Sequence, residues 1–368
     1  MTFKPLNEND TVNTRTLLHE AIPLTGSIIS GSYVDAGEPT NVKTYSHGMF
    51  QTVYDYNYVS SSANHIFDVT CGVSSQSGLS VTEMASKKNN IYGQMAQLLM
   101  GYDLTGSVQL FDEDGDLLAG GEKMKEIFVL PFSRLLVKDE IKKETFELKL
   151  GVDTVRANAL DDQITISDLS ASTEYRVNSP AGEYGILYAT SSAGSAAMNT
   201  NSIHTASIGA DTYWRAGLIF YQAGIVVLTG SVFSAGSGDH ELIAGSAINM
   251  DVAGNDIDGI LTGSTIDDIN ESLLHRIENI QFNNTTELNS TVYFCRVNHN
   301  EFNYSSNPTY LDNSKVRVKT QSTDEPVAYI TTVGLYNDRN ELLATAKLSE
   351  ALKKSPSTEF TIRARLDY

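Results

Sequence analysis

The chain has 368 residues, of which 41% are hydrophobic, 9% aromatic and 19% charged. This apolar content is far from that of a disordered chain, and the length suits about two or three domains. Against 26 Lys and Arg stand 45 Asp and Glu, which gives a formal charge of −19. Such an acidic surface repels phosphate backbones and anionic lipid, so we expect neither nucleic acid nor a membrane surface as a partner.

Cysteine content and apolar runs restrict the class of protein further. Cys71 and Cys295 are too few and too far apart for a disulfide framework or a zinc site. No apolar run follows Met1–Pro5, and no stretch reaches the roughly 18 apolar residues of a membrane span. The sequence therefore predicts a protein without a signal peptide or membrane span, made in a cytoplasm.

Three segments have apolar residues at helical spacing. A weak pattern covers Val12–Ala21, and a clearer one covers Met84–Leu99. The clearest covers Ile266–Ile280, and Thr265 and Asp268 before it have the spacing of a capping box. The sequence thus predicts two or three short helices.

Most of the remaining chain has the composition and the period of two that strands show. Trp214–Tyr221 and Ile225–Leu228 flank a Gln-Ala-Gly turn, which predicts a hairpin. Thr291–Val297 is a further expected strand. Apolar and polar residues alternate over Phe360–Asp367, which predicts a half-buried strand. We expect a mainly β fold with β-sandwich-like domains built from antiparallel hairpins and two or three short helices.

One segment of the chain recurs. Val108–Ala119 aligns with Val333–Ala344 without a gap, and each copy reads as strand, polar turn, strand. Each copy is followed by a pair of lysines and then by an alternating strand, at Phe146–Leu150 and from Phe360 onward. We interpret this as one β-unit used twice; two common hairpins that look alike are the alternative.

The repeat and the loop composition together suggest three domains. The first, at 1–150, is β-rich with one helix at about 82–100. The second, at 151–265, is β-rich and either follows the first or is inserted. The third, at 266–368, is a helix followed by a β-domain that repeats the 108–150 unit.

Motifs of catalysis and metal binding are missing from the sequence. It has no G-x-S-x-G elbow, no phosphate loop, no His-Glu-x-x-His and no Cys-x-x-Cys. Asp112–Asp116 resembles the start of a calcium loop, but the positions that need Gly and Glu hold Leu117 and Lys123. A solvated hairpin turn is the favoured interpretation there. We therefore expect no catalytic residue, no cofactor and no metal site, and a protein that is not an enzyme.

Two aromatic segments are the candidate interface. In the first segment, which covers residues 50–58, four aromatic residues have the parity of one strand face. In the second segment, which covers residues 302–310, two aromatic residues alternate and a third follows an Asn-Pro turn. Tyrosine suits half-wet surfaces and is enriched at interfaces. An ordinary aromatic sheet face within the monomer is the alternative. The candidates are Phe50, Tyr54, Tyr56, Tyr58, Phe302, Tyr304 and Tyr310.

The C-terminal part of the chain resembles a known class of proteins. Ile330–Asn337 with Glu341–Ala344 resembles a unit that recurs in tail and baseplate proteins of tailed bacteriophages and in tail-fibre attachment domains. Val292–Tyr310 and Arg363–Tyr368 are similar to virion structural proteins of contractile-tailed phages, and Ser46–Phe67 shares part of that likeness. The resemblance implies a role in the virion and brings no catalytic residues with it.

The resemblance implies a virion structural protein, above all of the tail baseplate, assembled in the host cytoplasm. Its partners would be other tail or baseplate proteins and further copies of itself in a symmetric ring. A neck or head-surface protein is the nearest alternative. A receptor- or glycan-binding adhesin module of the tail is the second hypothesis. A polysaccharide-degrading enzyme is the third, because paired distant carboxylates leave no sequence motif.

Overall fold

The fold is mainly antiparallel β, as the sequence predicts: strands make up 44% and helices 16%. It is known from a computed structural model of the chain. The residues that it describes are 3–25, 34–35, 38–80, 83–117, 122–191, 197–251, 254–305, 307–313, 315–316, 319 and 321–368.

The described strands range in length from two residues to 15 in β1 and 21 in β18. In chain order they are β1 Thr11–Thr25, β2 Val34–Asp35, β3 Glu38–Pro39, β4 Val42–Thr44, β5 Gln51–Tyr54, β6 His65–Val73, β7 Glu126–Pro131, β8 Glu140–Ile141, β9 Glu147–Gly151, β10 Gln163–Ser167, β11 Arg176–Ser179, β12 Gly182–Ser191, β13 Thr205–Ile208, β14 Asp211–Phe220, β15 Ile225–Thr229, β16 Ala235–Gly236, β17 Ile243–Ala244, β18 Ile277–Val297, β19 Leu311–Asp312, β20 Lys315–Val316, β21 Ala328–Tyr336, β22 Leu342–Lys354 and β23 Phe360–Asp367.

Five α-helices lie among the described residues, three of them shorter than eight residues and not foreseen from the sequence. They are α1 Glu83–Leu99, α2 Arg134–Val137, α3 Ala171–Glu174, α4 Ile257–Gly263 and α5 Ile266–Arg276. Short 3₁₀ turns lie at Glu8–Asp10, Arg156–Asn158, Gly230–Phe233 and Pro308–Tyr310.

The chain folds into two units. The smaller unit comprises residues 1–18 and 287–368, and the larger comprises residues 19–286. The domain boundaries expected near 150 and 265 therefore fall inside the larger unit. Strands from both sides of residue 150 share one sheet there, since β15 pairs with β7 and β10 pairs with β9.

The larger unit is built on a sheet with the strand order β18-β9-β10-β12-β14-β15-β7-β6-β5-β4. Its central strands are buried on both faces. In β7, Ile127 and Val129 enter one apolar core, while Phe128 and Leu130 enter the other. A strand covered on both faces needs a continuous apolar run, and β7, β14 and β15 have one.

The predicted hairpin in the middle of the chain is confirmed. β14 and β15 pair antiparallel, with Phe220 opposite Ile225. Gly224 in the turn has a φ of +67°, and a Cβ there would lie 2.7 Å from a methyl carbon of Val137. Both constraints favour glycine at this turn position, and the positive φ alone is a local reason for it.

Two of the three predicted helices form. α1 matches its prediction, and α5 begins with the predicted capping box, in which Thr265 Oγ1 accepts the N–H of Asp268 at 3.2 Å. The prediction was wrong beyond Arg276, where α5 ends. Ile277 already belongs to β18 and lies opposite Leu150 of β9, so sheet pairing overrides the helical spacing.

The helix predicted at Val12–Ala21 is wrong. This segment lies within β1, which is the neighbour of β18 at the end of the sheet order. Its local helical pattern was weak, and hydrogen bonding to a long neighbouring strand outweighs weak local propensity.

The two copies of the repeat share a turn but not a hairpin. The second copy forms the hairpin β21–β22, whereas residues 108–117 contain no strand, so that part of the prediction was wrong. Leu118 and Ala119 lie outside the described residues. At equivalent positions Gly115 and Asn340 both have positive φ, +70° and +61°. The repeat therefore encodes a turn conformation, and long-range pairing decides whether strands flank it.

The C-terminal strand behaves as its alternation predicts. β23 pairs antiparallel with the Ser290–Val297 part of β18 in the smaller unit. Ala364 is buried and Ile362 partly buried, while Arg363 and Arg365 are exposed. The smaller unit also contains the two-stranded pairs β19–β20 and β21–β22.

Candidate functional site

The first aromatic segment does not form one strand face, so that prediction was wrong. Only Tyr54 belongs to β5; Phe50 precedes the strand, and its ring lies 5.0 Å from that of Tyr45. Tyr56 and Tyr58 follow in a turn and are exposed. The chain leaves the strand after Tyr54 because the Asp55 carboxylate accepts the backbone N–H of Asn64 at 2.6 Å and closes a loop.

The second aromatic segment is also irregular. Phe302 has a φ of +54°, which interrupts the expected alternation with Tyr304. Tyr304 is exposed, and Tyr310 ends the 3₁₀ turn that begins at Pro308 and is partly buried. These three aromatics belong to the smaller unit and the first four to the larger. A role for them at an interface stays a prediction.

The smaller unit contains an apolar cavity of about 840 Å³ between the β21–β22 hairpin and the β18–β23 pair. Sequence reasoning missed it, because its walls come from segments far apart in the chain. The Phe3 ring packs edge-on against Tyr336 at 4.9 Å beside it, and Phe302 also contributes to it. The main apolar lining residues are Leu6, Tyr293, Val297, Leu335, Leu342 and Ile362.

Three of the charged residues that line this cavity, Lys4, Asp10 and Arg296, form ion pairs. Arg296 Nε lies 2.7 Å from Asp10 Oδ1, and Lys4 Nζ lies 2.6 Å from Glu301 Oε2. A catalytic pocket needs convergent groups that are free to act on a ligand. The apolar lining of the cavity suits the binding of apolar groups.

The hairpin β21–β22 is a largely exposed element of the smaller unit. Its strands have nine and 13 residues, of which only Ala328 and Lys354 are buried. Leu342 and Leu343 next to the turn are 54% and 68% exposed, and Tyr329 is also exposed. Exposed apolar side chains grouped on one element are typical of a contact surface.

Lys354 anchors the base of the hairpin. Its ammonium donates to the backbone oxygen of His299 at 3.0 Å, to Asn303 Oδ1 at 2.7 Å and to the backbone oxygen of Ser355 at 2.7 Å. The acceptors at 299 and 303 flank Phe302, so one buried lysine joins the hairpin to the loop that carries this aromatic. Lys354 therefore fixes the base of the hairpin, while Phe3 contacts Tyr336 near its turn.

Charge is divided unevenly between the two units. Residues 1–18 and 287–368 carry 12 Lys and Arg and 12 Asp and Glu, so the smaller unit is formally neutral. Residues 19–286 carry 14 Lys and Arg and 33 Asp and Glu, which accounts for the entire charge of −19. The exposed apolar residues of the hairpin β21–β22 thus lie on the unit with no net charge.

The acidic run of the larger unit is not the solvated turn that the sequence favoured. Asp112 and Glu113 are buried, and each has a basic partner: Lys123 Nζ lies 2.9 Å from Asp112 Oδ2, and His204 Nδ1 lies 2.6 Å from Glu113 Oε2. Burial raises the pKa of Glu113 even though His204 opposes it. His204 is 91 residues away, so no local signal predicts this pair.

Three carboxylates of the same run lie together. One oxygen each of Asp112, Asp114 and Asp116 falls within 4.8 Å of the others, an arrangement that can hold a cation. The Lys123 ammonium already offsets the charge of Asp112, and Asp114 accepts the N–H of Asp116 at 3.2 Å. The geometry therefore stabilises the turn without requiring an ion.

Within the described ranges, no helix is both long and apolar enough to cross a membrane. Comparison of the chain with protein-family models, curated proteins and solved structures gave no match.

Proposed function

We propose that this protein is a structural component of the virion of a contractile-tailed phage and that it works in the tail baseplate. It acts by assembly, through contacts with other tail proteins and with further copies of itself. The resemblance of Ile330–Ala344 and of the β18 and β23 segments to virion proteins supports this role. The cavity and the exposed hairpin support assembly as the mode of action.

The observation that carries the proposal is the exposure of the hairpin β21–β22. A two-stranded hairpin is marginal in water unless a further layer covers it. This one exposes Leu342, Leu343 and Tyr329, although Lys354 ties its base to the loop that carries Phe302. Burial of such apolar area against a neighbouring subunit stabilises both, at roughly 25 cal/mol for each Å².

Particle composition and location test the proposal. Mass spectrometry of purified phage particles is expected to find the chain in a fixed ratio to known tail proteins, and cryo-electron microscopy is expected to place it at the baseplate. Intact particles that lack the chain would contradict the proposal.

A complementation assay tests the contact surface. In a phage deleted for the gene, the double variant Leu342→Glu/Leu343→Glu should fail to restore infectious particles, because two buried carboxylates would stand at a subunit contact. Val59→Glu is the matched control, since Val59 is 79% exposed on a turn of the larger unit. Full rescue by the double variant would show that the hairpin is not part of a subunit contact.

A tail adhesin that binds glycans is the second candidate. Tyr56 and Tyr58 favour it, since both are exposed on one turn where an aromatic ring can cover an apolar sugar face. A glycan array probed with the purified chain separates the two functions. Specific binding that is lost in Tyr56→Ala/Tyr58→Ala would support the adhesin.

A further inference from the structure

The hairpin β21–β22 has one protected edge and one unprotected edge. β22 carries Lys347, Glu350 and Lys353, which are charged side chains of the kind that block the addition of another strand. β21, with the sequence AYITTVGLY, has no charged residue and no proline over nine residues. Within the described chain β21 pairs with β22 alone, so its outer edge has no strand beside it.

We propose that the outer edge of β21 pairs with β21 of a second copy of this chain across a two-fold axis. This inference rests on the proposed assembly function and names one of its contacts. The product is a four-stranded sheet in the order β22-β21-β21-β22. Pairing of one strand with itself is an isologous contact, in which both copies use the same surface.

Charge favours a second copy as the occupant of this edge. β21 is uncharged and the smaller unit is formally neutral, so the surfaces that meet add no net like-charge repulsion of their own. Any approach through the larger unit brings two bodies of −19 together. The neutral unit is therefore the surface on which copies of this acidic protein associate most readily.

The outer strands make the contact self-limiting. Once β21 is paired, the four-stranded sheet ends on both sides at β22, where Lys347 and Lys353 are exposed. Such edges resist a further strand, so the contact closes at two copies and does not extend into a fibre.

The test uses the full chain and the mass of its complexes. Sedimentation velocity over a concentration series is expected to show the 40.1-kDa monomer converting to a dimer. Thr332→Lys places a charge on an exposed position in the middle of β21. Because like charges then face each other across the contact, the dissociation constant of the dimer should rise about tenfold or more. Ser349→Lys, exposed on β22, is the matched control and should leave the constant unchanged.

A charge-reversal mixture separates direct contact from misfolding. Thr332→Asp alone should also weaken the dimer, while an equimolar mixture of Thr332→Lys and Thr332→Asp should restore it as a heterodimer, which native mass spectrometry resolves by mass. A wild-type chain that is monomeric at every concentration would overturn the proposal, and so would a dimer indifferent to both variants. A chain that stays in particles but meets a different protein at β21 would overturn this contact alone and leave the virion role intact.

Discussion

Asp168 shows how single buried polar residues hold the larger unit together. Its carboxylate accepts the backbone N–H groups of Glu144 and Phe146 at 2.8 and 3.0 Å and the hydroxyl of Tyr221 at 3.1 Å. Glu144 has a φ of +62°, so the turn before β9 needs this support. Burial raises the pKa of Asp168 to about 6, although the three hydrogen bonds oppose the shift.

This shift predicts a pH dependence of stability. The folded-state pKa of about 6 lies above the ordinary value of 3.8, so the folded chain binds this proton more tightly than the unfolded chain does. The resulting stability is complete below pH 3.8 and is lost as the pH rises through about 6, by about 3 kcal/mol. Urea unfolding at a series of pH values should show this loss in the wild type and not in Asp168→Asn. If the free energy of unfolding falls equally with pH in both proteins, Asp168 is not the cause of the pH dependence.

Two buried cationic side chains of the larger unit are also held by hydrogen bonds to the backbone. The Lys88 ammonium donates to the backbone oxygens of Leu261 and Ser264, where the last carbonyls of α4 need donors. Arg276, the last residue of α5, donates to the backbone oxygens of Gly151, Asp153 and Asn249. Burial lowers the pKa of both groups. Backbone carbonyls replace carboxylates as their partners, and no sequence pattern marks such a site.

At the scale of elements, sequence reasoning succeeded where local chemistry decides the structure. The β14–β15 hairpin needs a glycine turn, the start of α5 needs a capping residue, and β23 needs only alternation. It failed at Val12–Ala21 and after Arg276, where pairing with a distant strand decides. The cavity and the Glu113–His204 pair join segments that are far apart in sequence. No local sequence pattern predicts either of them.

The capping box of α5 gives a prediction at this scale. Thr265 is exposed, so Thr265→Ala removes its hydrogen bonds with Asp268 and leaves no cavity. The free energy of unfolding should fall by about 1 kcal/mol. Denaturant titration should show a lower midpoint at unchanged slope. Thr265→Ser keeps the hydroxyl and should retain most of the stability; equal losses in both variants would exclude the cap as the cause.

At the scale of the whole molecule, the division of charge predicts the effect of salt on self-association. Two copies that meet through their neutral units still repel through larger units of −19 each. Salt at 0.1 M screens charges beyond about 10 Å, so added salt should strengthen the dimer. Sedimentation at low and moderate ionic strength measures this. A dimer that weakens with salt would instead indicate a contact held by ion pairs.

The order in which the smaller unit is completed follows from its two separate segments. Residues 1–18 leave the ribosome before residues 19–286, and β21, β22 and β23 follow only after residues 19–286 have been made. Domains fold as they emerge, so the larger unit can fold before β21 has been translated. Nascent chains on one polysome then cannot pair through an edge that has not been translated. Translation order would therefore delay the proposed β21 contact until the larger unit has been made.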